Sequence, residues 1–336
     1  MEHSYDVLAV GRSSIDLYAN EIGAPFTEIK SFAAYVGGSP TNICVGARRL
    51  GLRTALLTAV GDDLVGDFVL NFLEREGIAV EFSPRKAGRR TSAFMLAIQP
   101  PDKFPIVPYR DNCADLELTI GDVMTAPVTA SRALLVTGSG LSRQPSRDAT
   151  LFAAEQAREG GNRVVLDLDV RAELWPDMRA YAASIRSILP HTNVVIGTVE
   201  EVAAAVARDG EATRGAAIES PDSFDGALMD GVQELLGAGS AQAVVVKRGA
   251  RSTLICLRGG ETIEAATFPV EVLNVLGAGD AFAGGFLYGY LKGWDWLKAA
   301  RMGNACGAIV VTRHGCANFM PYEPEVLAFI QERGGF

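Results

Sequence analysis

The chemistry in this chain gathers around Gly277-Ala278-Gly279-Asp280. An apolar stretch, Val272-Leu273-Asn274-Val275-Leu276, runs into it, and the small-residue segment Ala281-Phe282-Ala283-Gly284-Gly285-Phe286 follows. A turn of this kind at a helix start points unpaired amides and the positive end of the helix dipole at one spot. Phosphate groups bind at such spots. Asp280 is itself an anion, and placing it there is costly unless it has a task. The task that fits is general base, taking the proton from a hydroxyl that attacks a phosphoryl group. Two other readings of the motif stay open. Gly277-x-Gly279-x-x-Ala283 fits the loose dinucleotide fingerprint, although that fingerprint belongs after the first strand of a βαβ unit. A glycine-rich helix start packed tightly on a sheet would also look like this.

A second glycine pair opens Gly37-Gly38-Ser39-Pro40-Thr41-Asn42. Adjacent glycines allow close approach of a ligand, and Asn42 can both donate to and accept from sugar hydroxyls. A plain turn before a helix is the alternative. Two arginines have the planar fork that holds a carboxylate in one orientation: Arg110, beside an irregular segment, and Arg171, just past an apolar strand. Each taken alone reads more readily as a structural or surface ion pair. His3, His191 and His314 stand apart, which disfavours a zinc site or a histidine triad. No Walker A lysine and no Gly-x-Ser-x-Gly elbow is present.

Short Val- and Leu-rich runs alternate with amphipathic or Ala-rich segments, the pattern of a doubly wound, mostly parallel sheet flanked by helices. Strands are expected at Asp6–Val10, Thr54–Ala59, Ala133–Thr137, Val164–Leu168, Val194–Ile196 and Ala243–Lys247, then a meander at Ser252–Leu257 and Thr262–Phe268. Helices are expected at Pro40–Leu50, Leu64–Glu76, Ser146–Glu159, Pro176–Leu189 and Val199–Ala207. Four more should follow at Phe224–Leu236, Gly279–Lys292, Trp294–Thr312 and Glu323–Glu332. Ile22–Val36 and Thr91–Arg110, with its Pro100-Pro101 turn, break the rhythm and read as a small β lid over the strand ends. Asp209–Asp222 reads as a surface loop. No linker or repeat divides the chain, so one α/β domain is expected over 1–336.

Composition narrows the partners. With 48% hydrophobic residues over 336 positions there is material for a large core, and a formal net charge of −9 argues against nucleic acid. The five cysteines, Cys44, Cys113, Cys256, Cys306 and Cys316, are scattered without a C-x-x-C pair and read as reduced thiols. Neither a signal segment nor a run long enough to span a bilayer stands out, and a cytoplasmic protein is expected.

The two glycine-led helix starts, with Asp16 after the first strand, resemble the two signatures of the ribokinase-like (PfkB) family of carbohydrate kinases. The likeness runs from Gly11-Arg12-Ser13-Ser14-Ile15-Asp16 to Thr312-Arg313. Tyr109-Arg110-Asp111-Asn112-Cys113-Ala114-Asp115, Leu166-Asp167-Leu168-Asp169-Val170-Arg171 and Ile196-Gly197-Thr198-Val199-Glu200-Glu201 are similar to the branch that acts on sugar acids. The resemblance implies ATP and Mg²⁺, with 5-dehydro-2-deoxy-D-gluconate, from inositol breakdown, as acceptor at its C6 hydroxyl. It implies Asp280 as base, with Gly277, Ala278 and Gly279 around the transferred phosphoryl. Asp16, Gly37, Gly38 and Asn42 would bind the sugar, and Arg110 and Arg171 its carboxylate. Lys247, Gly249 and Asn304 would lie near the nucleotide, and Glu200 would reach the metal through water. Apart from the resemblance, the lid segments would leave sheet edges and apolar faces in water, so they would close on substrate or pair with a second copy as a homodimer. The sequence departs from the family at Asn274-Val275-Leu276, where Asp-Thr-x is usual and a monovalent cation binds in many relatives. It departs again at Gly197, where asparagine is usual, and along Lys247-Arg248-Gly249-Ala250-Arg251-Ser252. A 2-keto-3-deoxygluconate kinase, a non-catalytic sugar- or nucleotide-binding regulator and an NAD-dependent dehydrogenase are the alternatives.

Overall fold

The computed structural model describes residues 3–100, 103–208 and 221–336. Strand β1 (Tyr5–Val10) lies one strand in from an edge of the main sheet, β2 (Ser14–Ala19) and β3 (Phe32–Gly37) leave that sheet, and helix α1 (Ser39–Arg49) leads to the edge strand β4 (Thr54–Leu57). Next come β5 (Val60–Gly61), α2 (Leu64–Arg75), β6 (Arg85–Lys86), β7 (Ser92–Leu96), β8 (Ile106–Tyr109) and α3 (Ile120–Thr125). Strands and helices then alternate through β9 (Ser131–Thr137), α4 (Ser146–Glu159), β10 (Arg163–Asp167) and α5 (Met178–Ile188). They continue through β11 (Val194–Thr198), α6 (Val199–Val206), α7 (Pro221–Ala238) and β12 (Ala243–Lys247). The hairpin β13 (Ser252–Leu257) and β14 (Thr262–Ala266) precedes α8 (Ala278–Leu291), α9 (Trp296–Val310) and α10 (Glu323–Glu332).

Eight strands form the main sheet in the order β14-β13-β12-β11-β10-β9-β1-β4, parallel except for the β12–β13–β14 hairpins. Period-two alternation divides each strand between two cores. Val7 and Ala9 of β1 and Val194 and Ile196 of β11 pack with α1, α2, α8, α9 and α10. Leu8, Val10 and Val195 face the other way, toward α4, α5, α6 and α7. Each such Val, Leu or Ile side chain contributes roughly 1.5–3 kcal/mol when fully buried, which fixes the register of the sheet. The chain reverses its direction of travel between β1 and β9, and open α/β sheets bind ligands beyond the strand ends at such a reversal.

Over those ends lies a second sheet in the order β3-β2-β7-β8. The two segments expected to leave the main sheet provide β3, β7 and β8. Strand β2 was not expected, because its polar Ser14 and Asp16 mask a half-buried alternation. Tyr18, Phe94, Leu96 and Ile98 form a small core under this sheet together with Cys316. Val36 N–H donates to Asn318 Oδ1 (2.9 Å), tying the lid sheet to the loop after α9.

The strand expected to run to Ala59 stops at Leu57, and Val60–Gly61 pairs instead with Arg85–Lys86. Helix α5 starts at Met178, not Pro176, because the Asp177 side chain accepts from Arg179 N–H as its cap. Helix α3, also unexpected, is held by a reciprocal Thr119–Asp122 capping box. The loop expected at Asp209–Asp222 lies outside the described residues apart from its last two, Pro221 and Asp222, which belong to α7; Pro101 also lies outside them. Among the described residues no helix is long and apolar enough to cross a membrane.

Candidate active site

A cavity of about 580 Å³ opens between the parallel strand ends and the lid sheet, lined by Arg12, Asp16, Asn42, Phe94, Arg171 and Asp280 among others. Elements from both halves of the chain meet there. The loop after β1 brings Arg12, β2 brings Asp16, α1 brings Asn42, the loop after β10 brings Arg171, and α8 brings Asp280.

Asp280 is buried in the first turn of α8. Its Oδ1 accepts from Ser39 Oγ and its Oδ2 from Asn42 Nδ2, each at 2.7 Å. Burial raises its pKa above the usual carboxylate range, and repulsion from Asp169 adds to this, while Asn42, Arg171 and Ser39 pull the other way. The result is a fixed carboxylate of increased basicity. Asn42 Oδ1 has no partner and is free to accept a hydrogen bond from a hydroxyl. Gly277 caps α8 in the left-handed region (φ 81°), and the amides of Gly279 and Asp280 have no partner inside the helix, as at any helix start. Ala278 N–H instead turns onto the Val275 carbonyl (3.2 Å).

Gly37 has a local reason beyond any ligand. A Cβ there would lie 1.9 Å from Asp16 Oδ2, so the glycine makes room for that carboxylate. Gly38 (φ 109°) passes as closely over the Arg12 carbonyl, where a Cβ would come within 2.3 Å. The second glycine pair therefore packs the strand after β1 against α1. Asp16 accepts from Ser14 Oγ at 2.7 Å, and burial raises its pKa despite the attraction of Arg12.

On the β10–β12 side, Lys247 Nζ lies 3.3 Å from Asp167 Oδ2. A Cβ on Gly279 would meet that ammonium at 3.0 Å, so Lys247 stands against the anion-binding turn. Burial outweighs the pull of Lys247 on Asp167 and pushes its pKa up, with Glu201 and Asp169 adding repulsion. Arg171 Nε pairs with Asp169 Oδ1 at 3.2 Å.

Several expected site residues do not line this cavity. Arg110 does not line the large cavity: its Nε and Nη2 both donate to Asp115 Oδ2 (2.8 and 2.6 Å), and Nη1 reaches Ser142 Oγ (3.2 Å), beside a separate cavity of about 110 Å³. Its charge is already matched by a buried carboxylate. Asn304 is likewise engaged, accepting from Thr253 Oγ1 and donating to the Ala265 and Ala266 carbonyls, which pins α9 to the β13–β14 hairpin. Gly249 sits exposed in the β12–β13 turn. Glu200 faces solvent, whereas Glu201 is turned inward, its carboxylate accepting from Thr198 N–H and Val170 N–H. Arg12, Ser39, Asp167 and Glu201 were not singled out from the sequence. The capping spacing Thr198-x-x-Glu201 was the one available signal for the inward glutamate.

The family model and the curated relatives agree on the family, and the solved structures agree on the fold. The family model described as pfkB family carbohydrate kinase matches residues 4–323. The 5-dehydro-2-deoxygluconokinase of Geobacillus kaustophilus is 34% identical over 330 residues, covering 97% of this chain and 94% of that one. The enzyme of the same name from Geobacillus thermodenitrificans is 35% identical, covering 97% and 93%. Among solved structures, Xylella fastidiosa fructokinase with bound ATP superposes with a TM-score of 0.81 at 25% identity, covering 98% and 99%. An E. coli protein assigned as a ribokinase II, in complex with ATP and Mg²⁺, gives 0.83 at 22% identity over 98% and 99%.

Proposed function

Because the chain belongs to the PfkB family of carbohydrate kinases, we propose that it transfers the γ-phosphoryl group of ATP to the C6 hydroxyl of 5-dehydro-2-deoxy-D-gluconate, a sugar acid of inositol breakdown. The observation that carries this reading is Asp280, a buried carboxylate held by Ser39 and Asn42 at the head of α8, in one cavity with Asp16 and two arginines. The name of the curated relatives, matched along nearly the whole chain, supports this acceptor.

Asp280 takes the proton from the acceptor hydroxyl as the new O–P bond forms and the bond to the ADP oxygen breaks. Its raised pKa makes it a stronger base, and its two hydrogen bonds keep it aimed. Asp16 and Asn42 Oδ1 orient the sugar hydroxyls. The amides of Gly279 and Asp280 at the head of α8 face the charge that builds on the transferred group, Ala278 N–H being held by the Val275 carbonyl. Lys247, beside Gly279, supplies a cation for the ATP phosphates. A Mg²⁺ ion would accompany the ATP phosphates and would be held by the protein through water. Asp167 and Glu201 are the carboxylates that would hold such water, and the ion would neutralise phosphate charge.

Burial of all five free cysteines supports a reducing, cytoplasmic setting. The lid edge strand β8, with Val107 and Tyr109 exposed, supports pairing with a second lid, which sedimentation would detect. The kinase reading is tested by ATP turnover across sugar acids and neutral sugars, with the phosphorylated carbon located by NMR. Preferential C6 phosphorylation of the keto-deoxy acid is expected. Preference for a neutral sugar, or no transfer to any sugar, contradicts the proposal.

A further inference from the structure

Three arginines stand near the cavity, and they differ in what already neutralises them. Arg110 makes a two-nitrogen contact with Asp115 Oδ2, and Arg171 pairs with Asp169. Arg12 has no carboxylate within ion-pair distance among the described residues. Its side-chain contacts are a hydrogen bond from Nη1 to Ser14 Oγ (2.8 Å) and the face of Phe94, whose ring centre lies 4.1 Å from the guanidinium carbon. Nε is buried without a partner. Yet Arg12 is 5% exposed and lines the cavity that holds Asp280.

Burying a cation without an anion beside it is costly, and the cost is relieved when a bound group supplies the charge. Burial weakens the hold of Arg12 on its proton, and repulsion from Arg110 weakens it further, while Asp16, from beyond the Ser14 hydroxyl, and the more distant Asp169 and Asp115 counter without reaching ion-pair distance. A second anion at this point is thus electrostatically favoured. Phe94 and Ser14 hold the guanidinium in one orientation, so little freedom remains to be lost on binding.

We propose that Arg12 is a specificity-determining residue that receives the carboxylate of the acceptor, selecting sugar acids over neutral sugars. This rests on the sugar-acid kinase reading above. Arg171, half-exposed beside the same cavity, is the secondary contact, because Asp169 competes for it.

The test compares wild type, Arg12→Gln and Arg12→Lys on 5-dehydro-2-deoxy-D-gluconate and on its analogue with a primary alcohol in place of the carboxylate. The readout is the acid-to-alcohol ratio of kcat/KM, with the KM for ATP measured alongside. Losing a charge-assisted contact should lower this ratio about 10- to 150-fold in Arg12→Gln, chiefly through KM for the acid. Arg12→Lys, which keeps the charge but not the fork, should recover part of it. A ratio unchanged in Arg12→Gln, or equal losses on both acceptors and on ATP, overturns the inference and leaves Arg12 a packing residue. If wild type itself prefers the alcohol, the sugar-acid reading fails, an outcome distinct from the failure of Arg12.

Discussion

Asn42 Nδ2 lies 2.7 Å from Asp280 Oδ2, so the first turns of α1 and α8, distant in sequence, meet at one carboxylate. Ser39, also on α1, takes the other carboxylate oxygen. The two glycine-led turns are therefore halves of one device: α8 carries the base and α1 aims it. Phosphoryl transfer demands positioning more than covalent help from the protein, and this contact sets the position.

Replacing Asn42 with Ala removes a hydrogen bond that favours the ionised form of Asp280. The base must be deprotonated to act, so activity falls as pH drops through its raised pKa. Without Asn42 that pKa rises further, and the acid limb of the kcat/KM profile should move to higher pH. A profile measured from pH 5 to pH 9 checks this; an acid limb that stays in place refutes the coupling.

Arg171 and Arg110 should separate cleanly. Arg171→Ala should weaken the acid by roughly tenfold or more; its partner Asp169 is buried while Arg171 itself is 39% exposed, so a smaller loss of stability than for Arg110 should accompany it. Arg110→Ala strands the buried Asp115 and should cost about 3–5 kcal/mol of stability. Thermal unfolding and acceptor kinetics on both variants decide the assignment.

Lys247→Met leaves Asp167 buried without its cation. The carboxyl, already raised by burial, would then rise further and be neutral at low pH. A group with a raised folded pKa contributes stability below its unfolded pKa and loses it as pH climbs through the folded value. The variant should therefore be destabilised more at pH 8 than at pH 5, which chemical denaturation at the two pH values would measure.

Potassium should activate weakly. Asn274, fully buried, donates through Nδ2 to the His314 carbonyl and accepts Leu276 N–H at Oδ1 (3.0 Å). A neutral amide already joins the loop before α8 to the loop after α9, and it brings no negative charge to offset the dehydration of a cation. Initial rates in sodium, potassium and a bulky organic cation at fixed ionic strength should agree within about tenfold, on the order of 1.4 kcal/mol.

The main sheet was legible because its strands are buried on both faces and read as continuous Val and Leu runs. Asp280 was legible because glycines and an aspartate at a helix start are chemically unusual. Strand β2 was not, since Ser14 and Asp16 occupy the polar side of a short lid strand. Arg12 was not, since nothing in the sequence says that a lone arginine after β1 will be buried without a carboxylate. Arg110 and Asn304 illustrate the reverse: residue type and order put them near the site, but only packing reveals Asp115 and the β13–β14 carbonyls already bound to them. Glu200 and Glu201 differ by one position on a helix, and the cap formed with Thr198 decides which turns inward.

The central claim is that Asp280 is the base for phosphoryl transfer to a sugar acid. Its most direct test is kcat for ATP-dependent phosphorylation of 5-dehydro-2-deoxy-D-gluconate by wild type and by folded Asp280→Asn, with acceptor binding measured separately by calorimetry. The account predicts a kcat lower by about 10²- to 10⁴-fold in the variant with acceptor affinity largely kept. A folded Asp280→Asn protein that turns over near the wild-type rate would contradict it.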